Sequence, residues 1–438
     1  DFIEDVLLLK FPDHLDDEDK KEWLDFVMRF QQITGPVMAK GLEDTAFYAH
    51  NRLVSLNEVG GNPEKFGTTL ETFHGQNIER SKFWPHALIA SSTHDTKRSE
   101  DTRARINVLS EIPMEWSDRL TQWAHLNKRR KIAVNMKHVP DRNEEYLLYQ
   151  TLLGAWPLGM VTDEAHAWFT GRIKEYTLKS LKEAKIHTSW IDPDPTYEEA
   201  TMIFIDAVLS RSADNQFLQD FVPFQKMVSD YGLYNSLSQT LVKVTSPGVP
   251  DFYQGTETWQ FALVDPDNRR PVDFFALARM LADLRTREKE MDPIALAREL
   301  TLKKEDGRIK LFVTSRALAL RKARREIFEK GEYLPVEVDG EKARNVCAFA
   351  RRFNRGVAIT VVPRFLTKLI AHGTDLPFGS EVWKDTALLI PFAGNNRRYV
   401  NQFTGEVLTT ASHGNAVSFS LGDVFASFPV ALLTSEQR

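Results

Sequence analysis

Residues 87–105 read ALIASSTHDTKRSEDTRAR. Ala87 to Thr93 is a run of small and apolar residues, the composition of a strand buried on both faces, and it stops at His94-Asp95 before the chain turns polar. The pattern predicts a strand that delivers a His-Asp pair to its C-terminal edge. That edge is where parallel α/β barrels keep their chemistry, because side chains on the βα loops converge over the barrel mouth while the strands stay rigid. Taken locally, Asp95 fits better as a helix N-cap for the polar segment that follows. His94, Lys97 and Arg98 put more polar groups at this one strand end than a cap requires, and they tip the reading towards a site.

The chain has 438 residues, 42% hydrophobic and 27% charged, as in an ordinary globular protein with room for two or three domains. A net charge of -5 gives no electrostatic reason to expect nucleic acid or an anionic membrane as a partner, and a neutral substrate fits better. The single cysteine, Cys347, has no internal partner, and no Cys or His spacing matches a structural zinc site. The expectation is a cytoplasmic protein without metal or cofactor. No apolar run approaches the roughly 20 residues of a membrane span, and the opening at Asp1 reads as internal sequence, so a fragment is expected. Twenty-eight Phe and nine Trp point only weakly to sugar stacking, since aromatics fill cores more often.

Working outward, Trp23, Phe26, Val27, Phe30 and Ile33 mark one apolar helix face, and Thr34-Gly35-Pro36 predicts its end. Val37 to Val59 mixes Lys40, Glu43 and Asp44 with helix formers and reads as an amphipathic surface helix with salt bridges. From Arg105 to about Lys226 the pattern is helical, and the basic run Lys128–Lys131 reads as a solvated face. Thr245 to Glu257, TSPGVPDFYQGTE, predicts a second short buried strand, Val249 to Tyr253, ending in a polar cluster with Gln254 and Glu257. If the two strands are barrel neighbours, the helices between them are an insertion on the rim that builds substrate sites. Asp265 to Asp273, DPDNRRPVD, suits either hydrogen bonding to sugar hydroxyls or a self-contained turn with internal ion pairs.

Beyond Arg308, β-rich runs at Ile309–Thr314, Val346–Ala350, Val357–Val362, Ala387–Ile390, Tyr399–Phe403, Val417–Ser420 and Val430–Leu433 predict an antiparallel sandwich. The expected fold class is α/β plus all-β: the C-terminal strands of a partial (β/α)8 barrel with a large helical insertion, then a β-sandwich domain. The expected boundaries are 1–106 for the barrel part, 107–226 for the insertion, 227–304 for the last barrel strand and helix, and 305–438 for the sandwich.

Together these motifs resemble the second half of an α-amylase-type glycoside hydrolase barrel with its C-terminal domain. Within that group Thr34–Gly61, Ser91–Ile106, His187–Asp194 (HTSWIDPD) and Asp265–Phe274 are similar to the maltooligosyltrehalose synthases, four long motifs in the same order. The resemblance implies an intramolecular transglucosylation by retaining double displacement. The reducing-end α-1,4 linkage of a maltooligosaccharide becomes α,α-1,1, with the released glucose attacking the intermediate in place of water. It also implies that His94 and Asp95 hold the sugar in subsite -1, with Asp95 as the transition-state carboxylate, and that Lys97 holds the glucose in subsite +1. Lys40, Glu43, Asp44, Arg98, Gln254 and Glu257 are the further candidates for contact with the substrate.

One departure weighs against activity. The family's nucleophile lies in an R-x-D-x-x-x-H segment that this sequence lacks, and its acid lies on the following strand. The chain alone is therefore expected to be inactive. An amylase-like hydrolase or glucanotransferase, and a non-catalytic glucan-binding module, are the alternatives.

Overall fold

The structure is a computed structural model that describes residues 1–159, 162–371, 375–394, 396–413 and 416–435. Its largest core is helical and gathers around one 30-residue helix, Gln216–Thr245. Phe217, Phe221, Phe224, Val228, Leu237, Leu241 and Val244 of that helix are all buried. Trp123 packs edge-on against Tyr149, Phe217 and Phe224, and Trp156 against Phe169. Much of the aromatic content is thus core, as the bland reading of the composition had it. Helix Glu100–Asn107 lies against the long helix at Gly232, where an added Cβ would sit 2.6 Å from Arg105 Cγ. Only glycine permits that approach.

Strand β1 (Leu88–Ala90) pairs in parallel with β4 (Val249–Asp251), in the register Leu88 to Val249 and Ala90 to Asp251. The two strands with polar ends are therefore neighbours. Gly248, at φ +116°, lets the chain pass Ala87 as Val249 N–H bonds to the Ala87 carbonyl at 2.9 Å. The expectation that both strands are buried is corrected: Leu88 is 73% and Val249 41% exposed. Their apolar composition suits burial, but they form a two-stranded sheet with nothing paired beyond either edge among the described residues. A small hairpin, β2 (Ile132–Val134) with β3 (Lys137–Val139), lies in the helical region.

Among the described residues ten further strands follow: β5 (Glu332–Pro335), β6 (Glu337–Asp339), β7 (Val346–Phe353), β8 (Gly356–Pro363), β9 (Ala387–Leu389), β10 (Arg398–Asn401), β11 (Val407–Thr409), β12 (Ala411–His413), β13 (Ala416–Ser420) and β14 (Ala431–Ser435). They make a six-stranded antiparallel sheet, β11-β10-β14-β8-β7-β5, and a four-stranded one, β12-β13-β9-β6. Side chains from both, including Val346, Ile359 and Leu433 on one and Leu388 and Phe419 on the other, share a second core.

Two expectations fail here. Ile309–Thr314 is not a strand but the start of helix Arg308–Ala323. All six residues are buried, so the run shows neither strand alternation nor a one-sided helical stripe, and its β-branched content misleads. The helix 17–36 does not end at Thr34-Gly35-Pro36 either. It runs through Pro36 and continues as a π-helix, Val37–Ala46. On its apolar face only Val27 is buried, while Phe26, Phe30 and Ile33 are exposed. No helix among the described residues is long and apolar enough to cross a membrane.

Four buried charges join these parts. Lys310 Nζ lies 2.8 Å from Glu100 and 2.9 Å from Asp101, and Lys243 Nζ lies 3.2 Å from Glu100. Burial raises the Glu100 pKa, but Lys310 and Lys243 outweigh it and hold the carboxyl down at about 2. Breaking a buried pair strands a charge, so Lys310→Met is expected to cost about 3–5 kcal/mol by denaturant unfolding. Arg29→Ala, at an exposed pair with Asp25, is expected to cost less than about 1 kcal/mol.

Candidate active site

The loop after β1 is built by its own hydroxyls. Thr96 Oγ1 donates to the Thr93 carbonyl at 3.0 Å, and Thr93 Oγ1 accepts the Asp95 N–H at 3.2 Å. Helix Glu100–Asn107 begins after Ser99, so Asp95 is not its N-cap and the capping alternative falls away. The expected strand Ala87–Thr93 is shorter than the pattern implies: β1 stops at Ala90, and His94 and Asp95 stand exposed on the loop beyond it. The Asp95 carboxylate engages no hydrogen-bond partner among the described residues. Asn268 Nδ2 donates to the His94 carbonyl at 3.0 Å, so the 265–273 loop supports this one.

That second loop is largely a self-contained turn. Arg269 pairs with Asp265 at 2.5 Å and Arg270 with Asp267 at 2.7 Å, while Arg172 from the helical region reaches Asp267 at 2.8 Å. Beside it lies a cavity of about 430 Å³ lined by Trp168, Arg172, Trp259, Gln260, Asn268 and Arg270.

Three of the sequence-predicted residues meet. Asp44 Oδ2 accepts from Lys40 Nζ and Asp44 Oδ1 from Lys97 Nζ, both at 2.6 Å. The pairing brings residues 53 positions apart together, with Lys97 buried and Lys40 exposed. Burial raises the Asp44 pKa, and the hydrogen bonds and charges of Lys40 and Lys97 more than reverse it, leaving the carboxyl below its ordinary value.

The other candidates are placed differently. Glu43 accepts the Gly60 N–H at 2.8 Å and so shapes a loop. Arg98 is 2% exposed and donates to the Val54 carbonyl at 3.2 Å and to Tyr176 Oη at 2.6 Å. Buried and engaged in this way, it supports the loop from beneath. Gln254 is exposed, and its carbonyl accepts from Gln260 at 3.2 Å. Glu257 is half-buried, with Oε2 lacking a hydrogen-bond partner among the described residues.

The residue that sequence reasoning missed is Glu58. Its Oε1 accepts the N–H of Lys97 at 2.7 Å and of Val59 at 2.9 Å, and its Oε2 accepts the N–H of Arg98 at 3.3 Å. Arg103 Nε lies 3.7 Å away. A carboxylate taking backbone donors fixes their positions more firmly than a neutral acceptor does. The only signal in the sequence was an acid beside Asn57, between Leu56 and Val59, which pattern reading assigns to a surface.

Asp141, Glu144 and His187 bring metal-ligating atoms within 4.8 Å of one another. All three are already engaged. Asp141 and Glu144 form a capping box for helix Arg142–Ala155, His187 Nε2 lies 3.0 Å from Asp141, and Glu144 accepts from Tyr197. The set reads as a clamp.

The arrangement is an exposed carboxylate on a rigid loop, next to a carboxylate that bridges two ammonium groups. It offers both hydrogen-bond acceptors and a cation to a neutral polyhydroxylated ligand. The Asp44 pairing also sets a pH dependence. Because the folded pKa is lowered, its stabilisation is complete above the ordinary carboxylate value of about 4 and is lost as pH falls through the lower folded value. The stability difference between the native chain and Asp44→Asn is therefore expected to shrink as pH drops from 6 to 3, followed by denaturant unfolding at each pH.

No family model matches the chain. A Mycobacterium tuberculosis protein named maltooligosyl trehalose synthase is 34% identical over 409 residues, 93% of this chain and 45% of its own. The maltooligosyltrehalose synthase structure from Arthrobacter ramosus superposes with a TM-score of 0.76 at 33% identity, over 96% of this chain and 47% of that one. A hypothetical maltooligosyl trehalose synthase from Sulfolobus tokodaii superposes with a TM-score of 0.68 at 29% identity, over 99% of this chain and 53% of that one. The chain spans about half the length of these relatives. Over nearly its whole length, the chain is similar to the maltooligosyltrehalose synthases, along about half of theirs.

Proposed function

We propose that this chain supplies one wall of the active site of a maltooligosyltrehalose synthase, an intramolecular glucosylmutase of trehalose formation. The observation that carries the reading is that one loop holds both an exposed Asp95 carboxylate and a Lys97 ammonium fixed by Asp44. Asp95 and His94 hold hydroxyls of the sugar in subsite -1, and Asp95 binds more strongly as the ring flattens towards the oxocarbenium ion. Lys97 and Lys40 hold the released glucose while it turns to present its anomeric hydroxyl. Keeping water out during that turn is what separates transfer from hydrolysis.

The nucleophile and the acid come from a segment outside these 438 residues, since no R-x-D-x-x-x-H segment is present. In this reading β1 and β4 are two strands of a (β/α)8 barrel, the helices between them are its insertion, and the two antiparallel sheets are a C-terminal sandwich. The open edges of β1 and β4 then receive the remaining strands.

The test is a mass balance with maltopentaose. The chain alone is expected to leave reducing ends intact. Mixed with a separately expressed partner segment carrying R-x-D-x-x-x-H, it is expected to remove reducing ends without releasing glucose, and Asp95→Asn in the mixture to lower the rate at least about 1,000-fold. Consumption of reducing ends by the chain alone contradicts the placement of the missing carboxylates. Free glucose with no trehalose end in the mixture marks a hydrolase.

A further inference from the structure

The segment His187–Asp194, HTSWIDPD, has no part in the site as described, yet nearly every polar group in it is committed to holding one shape. The His187 ring stacks on Tyr197 at 4.5 Å, and its Nε2 meets Asp141 at 3.0 Å. Thr188 Oγ1 donates to Glu198 at 2.6 Å and accepts the Asp194 N–H at 2.9 Å. Asp194 caps helix Pro195–Leu209 through the Tyr197 N–H at 3.0 Å. Ser189 and Asp192 close the turn between them: Ser189 N–H donates to the Asp192 carbonyl at 3.1 Å, and Ser189 Oγ accepts the Asp192 N–H at 2.8 Å.

What this frame presents is its two central residues. Trp190 is 58% and Ile191 97% exposed, two large apolar side chains at the tip of a fixed turn. The indole is oriented, since Nε1 donates to Glu183 Oε1 at 3.2 Å and Lys182 Nζ lies 5.0 Å from the ring centroid.

Two other tryptophans are as exposed, and neither matches this setting. Trp168 is flanked by the guanidinium groups of Arg172 at 4.8 Å and Arg270 at 4.7 Å, and Trp84 precedes the open strand β1. Trp190 is anchored to the C-terminal end of helix Asp163–Ala184, and that end adjoins the candidate site. Lys185 Nζ donates to Thr45 Oγ1 at 3.2 Å, next to Asp44, and Glu183 acts electrostatically on Lys40.

We propose that the 187–194 turn is a preorganised sugar-stacking finger, with the Trp190 indole as the platform for a glucosyl unit of an α-1,4-glucan whose end reaches the Lys40, Asp44 and Lys97 corner. A flat, rigid indole offers the C–H face of a pyranose a large apolar contact at little entropic cost. The ligand is uncharged and polyhydroxylated, and it must be long enough to span from the corner to the finger. The inference rests on the glucan reading above and adds a distal subsite to it.

The test is calorimetric titration of the chain with maltotriose and maltoheptaose, comparing the native protein with Trp190→Ala, Trp190→Phe and Trp84→Ala. Trp190→Ala is expected to weaken maltoheptaose binding roughly 5- to 10-fold and to leave maltotriose binding and thermal stability unchanged. Trp190→Phe is expected to recover most of the affinity, and Trp84→Ala to match the native chain. Native-like maltoheptaose binding by Trp190→Ala overturns the finger and leaves the glucan reading standing. Absence of any glucan binding by the native chain overturns both.

Discussion

Four charges with almost no exposure, Glu100, Asp101, Lys243 and Lys310, hold the two strand-end loops to one another. Glu100 and Asp101 open the helix that follows the β1 loop, Lys243 closes the long central helix that leads into β4, and Lys310 comes from the helix before the sheets. Asp101 also accepts the Gln260 N–H from the loop after β4, and Ser91 and Ser92, at the end of β1, bond to Glu100. A buried cluster of this kind is worth little against a hydrophobic one of equal volume, but it is expensive to break in part. Its effect is on geometry. Two loops that share one set of charges keep a fixed separation.

Above this base a second layer of carboxylates sets the loop that carries His94 and Asp95. Glu58 holds the backbone of Lys97 and Arg98, and Asp44 holds the Lys97 side chain. Arg98, turned inward to Val54 and Tyr176, ties the same turn to the helical region. One loop is thus fixed from three directions while its two leading side chains, His94 and Asp95, stay exposed. Rigid support for a few unspent polar groups is the usual arrangement of a binding or catalytic centre.

The positions of these groups were unevenly legible in the sequence. The two short strands could be read because a sharp change from apolar to polar follows each, but both stop earlier than the pattern implies, at Ala90 and Asp251, and their parallel pairing was legible only as a condition. Lys97 and Asp44 were both singled out, but their contact spans 53 positions and leaves no local trace. Glu58 was missed for the same reason: its partners are backbone N–H groups about 40 residues away, which no side-chain pattern reports. The burial of Arg98 was not legible either, because it depends on Tyr176 from a distant helix. Ile309–Thr314 misled, since burial on all sides removes the periodicity by which helices are recognised.

The central claim is that the Thr93–Ser99 loop is already in its working shape within these 438 residues, held by Glu58 and Asp44 from one side and by the charge cluster from below. Amide hydrogen exchange of the native chain tests this most directly. The account predicts that the Lys97 and Arg98 amides exchange as slowly as those in the middle of helix Gln216–Thr245, while the Ile191 amide at the exposed turn exchanges fast. Exchange at Lys97 and Arg98 as fast as at Ile191 would mean that the loop is not formed, and the account of a preorganised site would be wrong.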